Sequence, residues 1–395
     1  MSKTRAYTLA VFSRLSRWLL APLAALVTVP AFAQVEPALP SAEDVPIAIL
    51  VDVSSGQVLH SRNADRRFVP ASITKVMTLF HAFELINEGV LDERQVFTIE
   101  PETWREWSGK GSTMWIGADD QVNLATLLIG IANVSANDAS VMLAEGQAGS
   151  IEDWAAAMNV RARALGMTNS WFGTPNGWPD EGRTFTTAND LVTLAEALIA
   201  RHPRKYARYF GKPGFEYGGI AQFNRDPLIG RVQGADGIKT GYTNEAGFGY
   251  LGTASRNGQR LVLVVAGADR TSVRDRSARA YVEWGFSAFD RERLFAEGEA
   301  VGEARVQSGE ARSVPLITDR HVFVNVPKGR GADLRLSIRY DGPVRAPFEA
   351  GEQIATLLIE VPGMESARVP LLASQSVGEA GFFNRIMNGI AGLFS

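Results

Sequence analysis

The sequence predicts an α+β protein, and three observations carry the prediction. Two hairpin patterns stand far apart, at 46–60 and 248–266. Helix-periodic apolar segments fill the interval between them. From Arg291 onward the pattern changes to short strands separated by Gly- and Pro-containing turns. At 395 residues the chain is long enough for two folded domains, each with its own core.

Residues 1–33 stand apart from the fold. Lys3, Arg5, Arg14 and Arg17 are followed by an apolar stretch from Trp18 to Val29, no acid occurs before Glu36, and Ala31-Phe32-Ala33 is an A-x-A site. This is the pattern of a secretory signal peptide, with cleavage expected after Ala33. The apolar stretch is short for a membrane span and is interrupted by Pro22. The formal charge of the whole chain is −3; the leader takes four basic residues and no acid, leaving −7. An acidic mature chain without a basic run is a poor nucleic-acid binder, and none is expected as a partner. The absence of cysteine excludes disulfides, a thiol nucleophile and Cys-based metal sites. His60, His81, His202 and His321 lie far apart without an H-E-x-x-H, so neither a metal nor a cofactor is expected.

The first hairpin pairs Pro46–Val53 with Gln57–His60 around Ser54-Ser55-Gly56. A helix follows, from about Ser72 to Glu88, stopping at Gly89. Within it, Ser72 and Lys75 are three residues apart and share a face. A hydroxyl needs a base to become a nucleophile. An amine serves as that base only when neutral, which desolvation and a positive field favour. Alone, the pattern is usually a capping serine beside a solvated lysine. Gly109-Lys110-Gly111-Ser112-Thr113 reads as a close backbone approach, a mobile loop or a plain surface turn.

An apolar helix at Leu124–Ala132 runs into Asn133–Ala139, and a second continues to about Glu145. Ser135 and Asn137 fall between them. They are either a pair of caps or a serine that passes a proton to a leaving amine beside an amide that holds a substrate carbonyl and Lys75 together. Ile151–Leu165 is a further amphipathic helix, Thr174–Gly177 a turn, and Thr187–Arg201 a helix capped by Thr187 or Asn189. Lys239-Thr240-Gly241 opens an edge strand. Gly241 lets a substrate backbone lie against it, while Lys239 and Thr240 offer charge and a hydroxyl to a terminal carboxylate; a charged surface turn is the alternative. The second hairpin turns at Arg256-Asn257-Gly258, and the Thr271–Phe286 helix closes the domain with Trp284 in its core.

Ser72-x-x-Lys75, Ser135-x-Asn137 and Lys239-Thr240-Gly241 occur in the order found in active-site-serine penicillin-binding proteins and β-lactamases. With Asn63-Ala64-Asp65 before Pro70-Ala71-Ser72, Asp236-Gly237-Ile238 before Lys239 and Ala246-Gly247-Phe248 after it, the chain resembles the D-alanyl-D-alanine carboxypeptidases, the low-molecular-mass penicillin-binding proteins of the bacterial periplasm. The resemblance implies a central antiparallel sheet flanked by helices, β-lactamase/transpeptidase-like, over residues 34–288. It implies Ser72 as nucleophile, Lys75 as general base and Ser135 as proton relay. Asn137 would orient the peptide, Lys239 and Thr240 would bind the carboxylate, Gly241 would line the strand, and the N–H groups of Ser72 and Tyr242 would form the oxyanion hole. The implied substrates are peptidoglycan stem peptides, with β-lactam antibiotics as mimics. Relatives often carry an arginine before the closing helix, and Arg270 either fills that role or leaves it empty. A β-lactamase on the same fold needs a further Glu, and no Glu-x-x-Leu-Asn lies between Ser135 and Lys239. D,D-endopeptidase activity is the other alternative.

Residues 289–372 read as a small all-β domain without a catalytic constellation, with strands at 314–317, 321–326, 334–340, 353–359 and 367–371. A linker from 373 leads to Phe382, Phe383, Ile386, Met387, Ile390, Leu393 and Phe394, which share one face at helical spacing. Residues 381–395 are therefore expected to form an amphipathic helix on the outer face of the inner membrane.

Overall fold

The computed structural model describes residues 5–8, 39–329 and 334–381. The amphipathic helix expected at the C-terminus and nearly all of the expected leader lie outside the described residues. The exception in the leader is Arg5–Thr8, a strand paired antiparallel with Arg335–Tyr340. The chain divides into two compact units. One comprises Ala38–Ser54 and Val58–Ser287; the other is built mainly from Ala288 onward.

The first unit is centred on a five-stranded antiparallel sheet in the order Gln57–Arg62, Ile47–Asp52, Gln259–Ala268, Gly247–Arg256, Ala235–Thr243. Both predicted hairpins are present. The second turns through Asn257 and Gly258 at φ +50° and +76°, the positive pair that a two-residue hairpin loop requires. Ile47–Asp52 is buried at every position, and Gln259–Ala268 is buried from Leu261 to Ala266. Helices therefore cover both faces of the sheet centre, and the strands read as continuous apolar runs. Ala235–Thr243 has a strand neighbour on one side only, and its free edge faces the turn that carries Ser72.

The Lys75–Asn87 helix passes through the middle of this unit. Every residue from Lys75 to Phe83 is buried. A helix that is apolar nearly all round has no surface face, so it becomes the element on which others pack. Around it lie helices Leu124–Asn133, Asn137–Ala148, Ile151–Ala164 and Ala188–Arg201. Thr187 caps the last of these, its hydroxyl accepting from the Asp190 N–H at 3.1 Å. In the Thr271–Ser287 helix, Tyr281 is fully buried, whereas Trp284 is only half-buried and meets the edge of His60. The expectation of Trp284 in the core is corrected accordingly: Trp284 lies three residues after Tyr281, near the rim of the buried stripe.

The second unit holds a seven-stranded sheet and a separate pair, Phe289–Phe295 with Val322–Pro327. The five expected strands are present. Phe289–Phe295, Ala300–Gln307 and Val344–Arg345 are additional. The linker expected from 373 is instead packed: Val377 bridges to Phe348 and Glu379 to Gly309, with Val377 and Ala380 buried. Among the described residues, no helix is long and apolar enough to cross a membrane.

Thr187→Ala removes a cap and alters none of the expected site residues. It is expected to cost about 1 kcal/mol and to move the urea midpoint of the first unit downward. An unchanged midpoint would show that the cap contributes nothing.

Candidate active site

Ala71–Thr74 forms a single 3-10 turn, and the α-helix begins at Lys75. Ile73, Val76 and Met77 are fully buried on the surrounding positions, so burying them carries Lys75 inside as well. Its amine meets three oxygens: Ser72 Oγ at 3.0 Å, Asn137 Oδ1 at 2.7 Å and the Asn176 carbonyl at 2.6 Å. Burial, and then the charge of Lys239, hold this amine well below its ordinary pKa, against the opposing pull of Asp138. Two of the three oxygens only accept hydrogen bonds. A neutral amine has two N–H donors for those two and one lone pair left for the Ser72 hydroxyl.

Asn137 opens its helix and is held by its surroundings. Its N–H donates to the Ser112 carbonyl at 2.7 Å and its Nδ2 to the Lys110 carbonyl at 3.0 Å. The adjacent Asp138 carboxylate accepts from the N–H groups of Met114 and Ile116. The Gly109–Thr113 stretch is thus the wall that fixes Asn137. Ser135 sits just before the helix at φ +66°, a left-handed turn for a non-glycine residue, and lines the cleft with Ser72 and Asn137.

The third segment is the free strand edge. Lys239 is buried, and its amine donates to the Thr240 carbonyl at 3.0 Å. Burial first, then Arg225 and Arg274, push its pKa down to about 7. Thr240, Gly241 and Tyr242 face the cleft, and Tyr242 stacks on Phe248 with ring centroids 4.1 Å apart. The cleft has a volume of about 770 Å³. Six of the eight expected site residues line it, and the two lysines lie buried behind them. Gly241 has a structural reason beside the one expected. A Cβ there would lie 2.5 Å from the Pro70 carbonyl oxygen and 3.1 Å from Ile73, so the missing side chain lets the strand close on the nucleophile turn.

Four contributors escape the motif reading. Asn176 acts through its backbone carbonyl, which leaves no trace in residue type. Its turn is tied to the central helix by Thr78, whose hydroxyl donates to the Pro175 carbonyl at 2.5 Å. Arg225 lines the cleft and donates to Ser112 Oγ at 2.6 Å. Asp226 accepts from Tyr250 and from the N–H groups of Leu228 and Ile229. The polar run Asn224-Arg225-Asp226-Pro227 ahead of the edge strand was the available signal. Arg270 is exposed and pairs with Asp269, whereas Arg274, one helical turn later, is buried and lines the cleft. Of the two arginines, Arg274 is therefore the one that reaches the cleft. Among the described residues no group of three or more His, Asp or Glu is arranged to hold a metal.

Residues 34–270 match the D-alanyl-D-alanine carboxypeptidase family, and residues 289–379 match the C-terminal domain of penicillin-binding protein 5. The chain is 32% identical to the D-alanyl-D-alanine carboxypeptidase DacA of Escherichia coli over 351 residues, covering 88% of this chain and 87% of the relative. Penicillin-binding protein 5 of Haemophilus influenzae superposes with a TM-score of 0.75 at 29% identity, covering 87% of this chain and all of that one. Penicillin-binding protein D2 of Listeria monocytogenes, solved in its ampicillin-bound form, superposes with a TM-score of 0.56 at 29% identity over 62% of this chain and 98% of its own. The chain belongs to the D-alanyl-D-alanine carboxypeptidase family.

Proposed function

We propose a course for the reaction of this serine D-alanyl-D-alanine carboxypeptidase in which Lys75, uncharged, draws the proton from Ser72. Ser72 Oγ then attacks the carbonyl between the two terminal D-alanines of a peptidoglycan stem peptide. The N–H groups of Ser72 and Tyr242 receive the developing oxyanion; one such donor is worth roughly 3 kcal/mol of barrier. The proton on Lys75 passes through Ser135 to the leaving nitrogen, and D-alanine departs. Water hydrolyses the ester with Lys75 again as base. Lys239 and Thr240, with Arg225 and Arg274 beside them, hold the terminal carboxylate, and Asn137 orients the peptide. β-Lactams carry the same reactive carbonyl and carboxylate and are trapped as the Ser72 ester. The observation that carries this reading is a fully buried amine 3.0 Å from the serine hydroxyl, its other two partners being acceptors.

We further propose a periplasmic enzyme, a reading supported by the sequence at the two ends of the chain. Residues 1–33 direct export, consistent with a family match that begins at residue 34. Residues 381–395 hold the protein on the outer face of the inner membrane through their apolar stripe.

Benzylpenicillin is expected to add its mass to the wild type and not to Ser72→Ala. The pH profile of kcat/KM is expected to be a bell. Acylation needs neutral Lys75, so it is lost as pH falls through that group's lowered pKa. Attraction of the carboxylate needs charged Lys239, so it is lost as pH rises through about 7. Lys239→Arg stays charged and should lose the alkaline limb; an unchanged limb in that variant assigns it elsewhere.

Gly177→Ala places a Cβ 1.9 Å from the Ala71 carbonyl oxygen at φ +70°. A shift of the nucleophile turn should lower the acylation rate at least tenfold, read with fluorescent penicillin. Wild-type acylation in this variant would mean that the turn is not clamped there. Deleting residues 381–395 should leave hydrolysis of a soluble peptide intact and abolish co-sedimentation with anionic vesicles. Vesicle binding that survives the deletion removes the anchor from consideration.

A further inference from the structure

Besides Ser72, the Lys75 amine is held by two oxygens from segments distant in sequence, the Asn137 side chain and the Asn176 carbonyl. One residue outside the catalytic motifs touches both segments. Lys110 stands between Gly109 and Gly111, at φ +68° and +70°, in the loop that leaves the Pro101–Trp107 helix. Its carbonyl accepts from Asn137 Nδ2 at 3.0 Å, on the same amide whose oxygen meets Lys75. Its ammonium lies over two indoles, 4.3 Å from the centre of the Trp107 ring and 5.0 Å from that of Trp178. The two rings meet edge to face with centroids 5.5 Å apart. Trp178 belongs to the second segment, and its N–H donates to Asn176 Oδ1 at 3.0 Å.

The loop is wedged where these segments meet. A Cβ on Gly111 would lie 2.8 Å from Asn137 Nδ2 and 3.0 Å from Trp178 Cζ3, so no side chain fits there. With glycine on either side, the Lys110 side chain is what ties this stretch to its neighbours. Its ion pair with Glu106, at 3.0 Å, is with a carboxylate that is 59% exposed, and such pairs contribute little. The ammonium itself is only 32% exposed, and a cation against aromatic rings is held more firmly as water is excluded.

We propose that Lys110 is a positioning residue for acyl transfer: its ammonium, caged by Trp107 and Trp178, clamps the Asn137 segment to the Asn176 turn and so fixes both oxygens that hold the buried Lys75 amine. The proposal rests on the reading of Lys75 as a neutral base. Lys110 does not line the cleft, so it acts through those oxygens.

The test is the rate of labelling by fluorescent penicillin as a function of pH. In Lys110→Ala the two segments part and water reaches Lys75, so burial penalises the charged amine less and its pKa rises toward the ordinary value. Acylation needs the neutral amine, so the acid limb moves to higher pH. Lys239 on the edge strand and Asp138 beside Asn137 are the charged groups that bear on Lys75, and the substitution alters neither. The expected displacement is about one pH unit, which is about tenfold in rate on that limb. Lys110→Arg keeps a cation in the cage and should restore most of the loss. Trp107→Leu leaves the Lys110 charge in place and should displace the limb in the same direction. Lys110→Ala with a wild-type profile overturns the clamp, as does a slower variant whose acid limb has not moved, the mark of a merely structural role. A limb that moves in Lys110→Ala but not in Trp107→Leu reports the field of the ammonium and also overturns it. A wild type that labels without any acid limb removes Lys75 as the neutral base, a failure of the catalytic reading that is distinct from failure of the clamp.

Discussion

The burial of one amine organises the catalytic unit. Lys75 is charged in water and costly to desolvate, and it sits at the start of a helix whose neighbours are almost all apolar. The structure keeps it there by meeting its hydrogen-bonding needs from two distant segments, Asn137 and the carbonyl of Asn176. Both partners accept, and neither carries a charge. That choice separates a base from a structural ion pair. A carboxylate in either place would hold the amine protonated, and the lone pair that the proposed mechanism gives to Ser72 would be lost.

The remaining charges follow from the same constraint. Lys239, Arg225 and Arg274 gather on one side of the cleft, and their mutual repulsion adds to the burial that lowers the Lys239 pKa. Asp226 counters them from its buried site, its own pKa raised by desolvation and opposed by hydrogen bonds from Leu228, Tyr250 and Ile229. The same Tyr250 hydroxyl lies 3.0 Å from the Gly237 carbonyl, two residues before Lys239, so the loop carrying Arg225 and the strand carrying Lys239 are tied together. An excess of positive charge in a free cleft is unfavourable until a carboxylate enters. Carboxylate binding therefore relieves a repulsion built into the fold, while burial first, and then the charge of Lys239, hold the Lys75 pKa down.

The legible parts of the sequence were those where a side chain does the work on a regular element. Ser72, Lys75, Ser135, Asn137 and Lys239 announce themselves by type and spacing, and the helices around them by period. Asn176 could not be read because its carbonyl, common to every residue, makes the contact. Arg270 and Arg274 differ by one helical turn, and only the packing of the Thr271–Ser287 helix decides which points inward. Phe289–Phe295 escaped because Asp290, Arg291, Glu292 and Arg293 put charges on both faces of a strand, erasing the alternation by which strands are recognised. Gly241 carries a second constraint that its residue type alone does not reveal: the close approach to the Pro70–Ile73 turn.

That close approach has a counterpart. Gly241 presses on the carbonyl of Pro70 and Gly177 on the carbonyl of Ala71, from two segments that share no sequence neighbourhood. Between them Ala71 is held at φ +48°, a left-handed conformation that costs a non-glycine residue roughly 1–2 kcal/mol. A free turn would relax. Here relaxation would drive a carbonyl into the backbone of one glycine or the other, so the cost is met by packing elsewhere in the unit. The consequence is positional. Ser72 follows a backbone bend that neither wall allows to move, its hydroxyl 3.0 Å from the Lys75 amine and its turn set against the free strand edge at Gly241. Strain at Ala71 and the absence of two side chains thus serve a single end, a serine whose two reacting surroundings are fixed before substrate arrives.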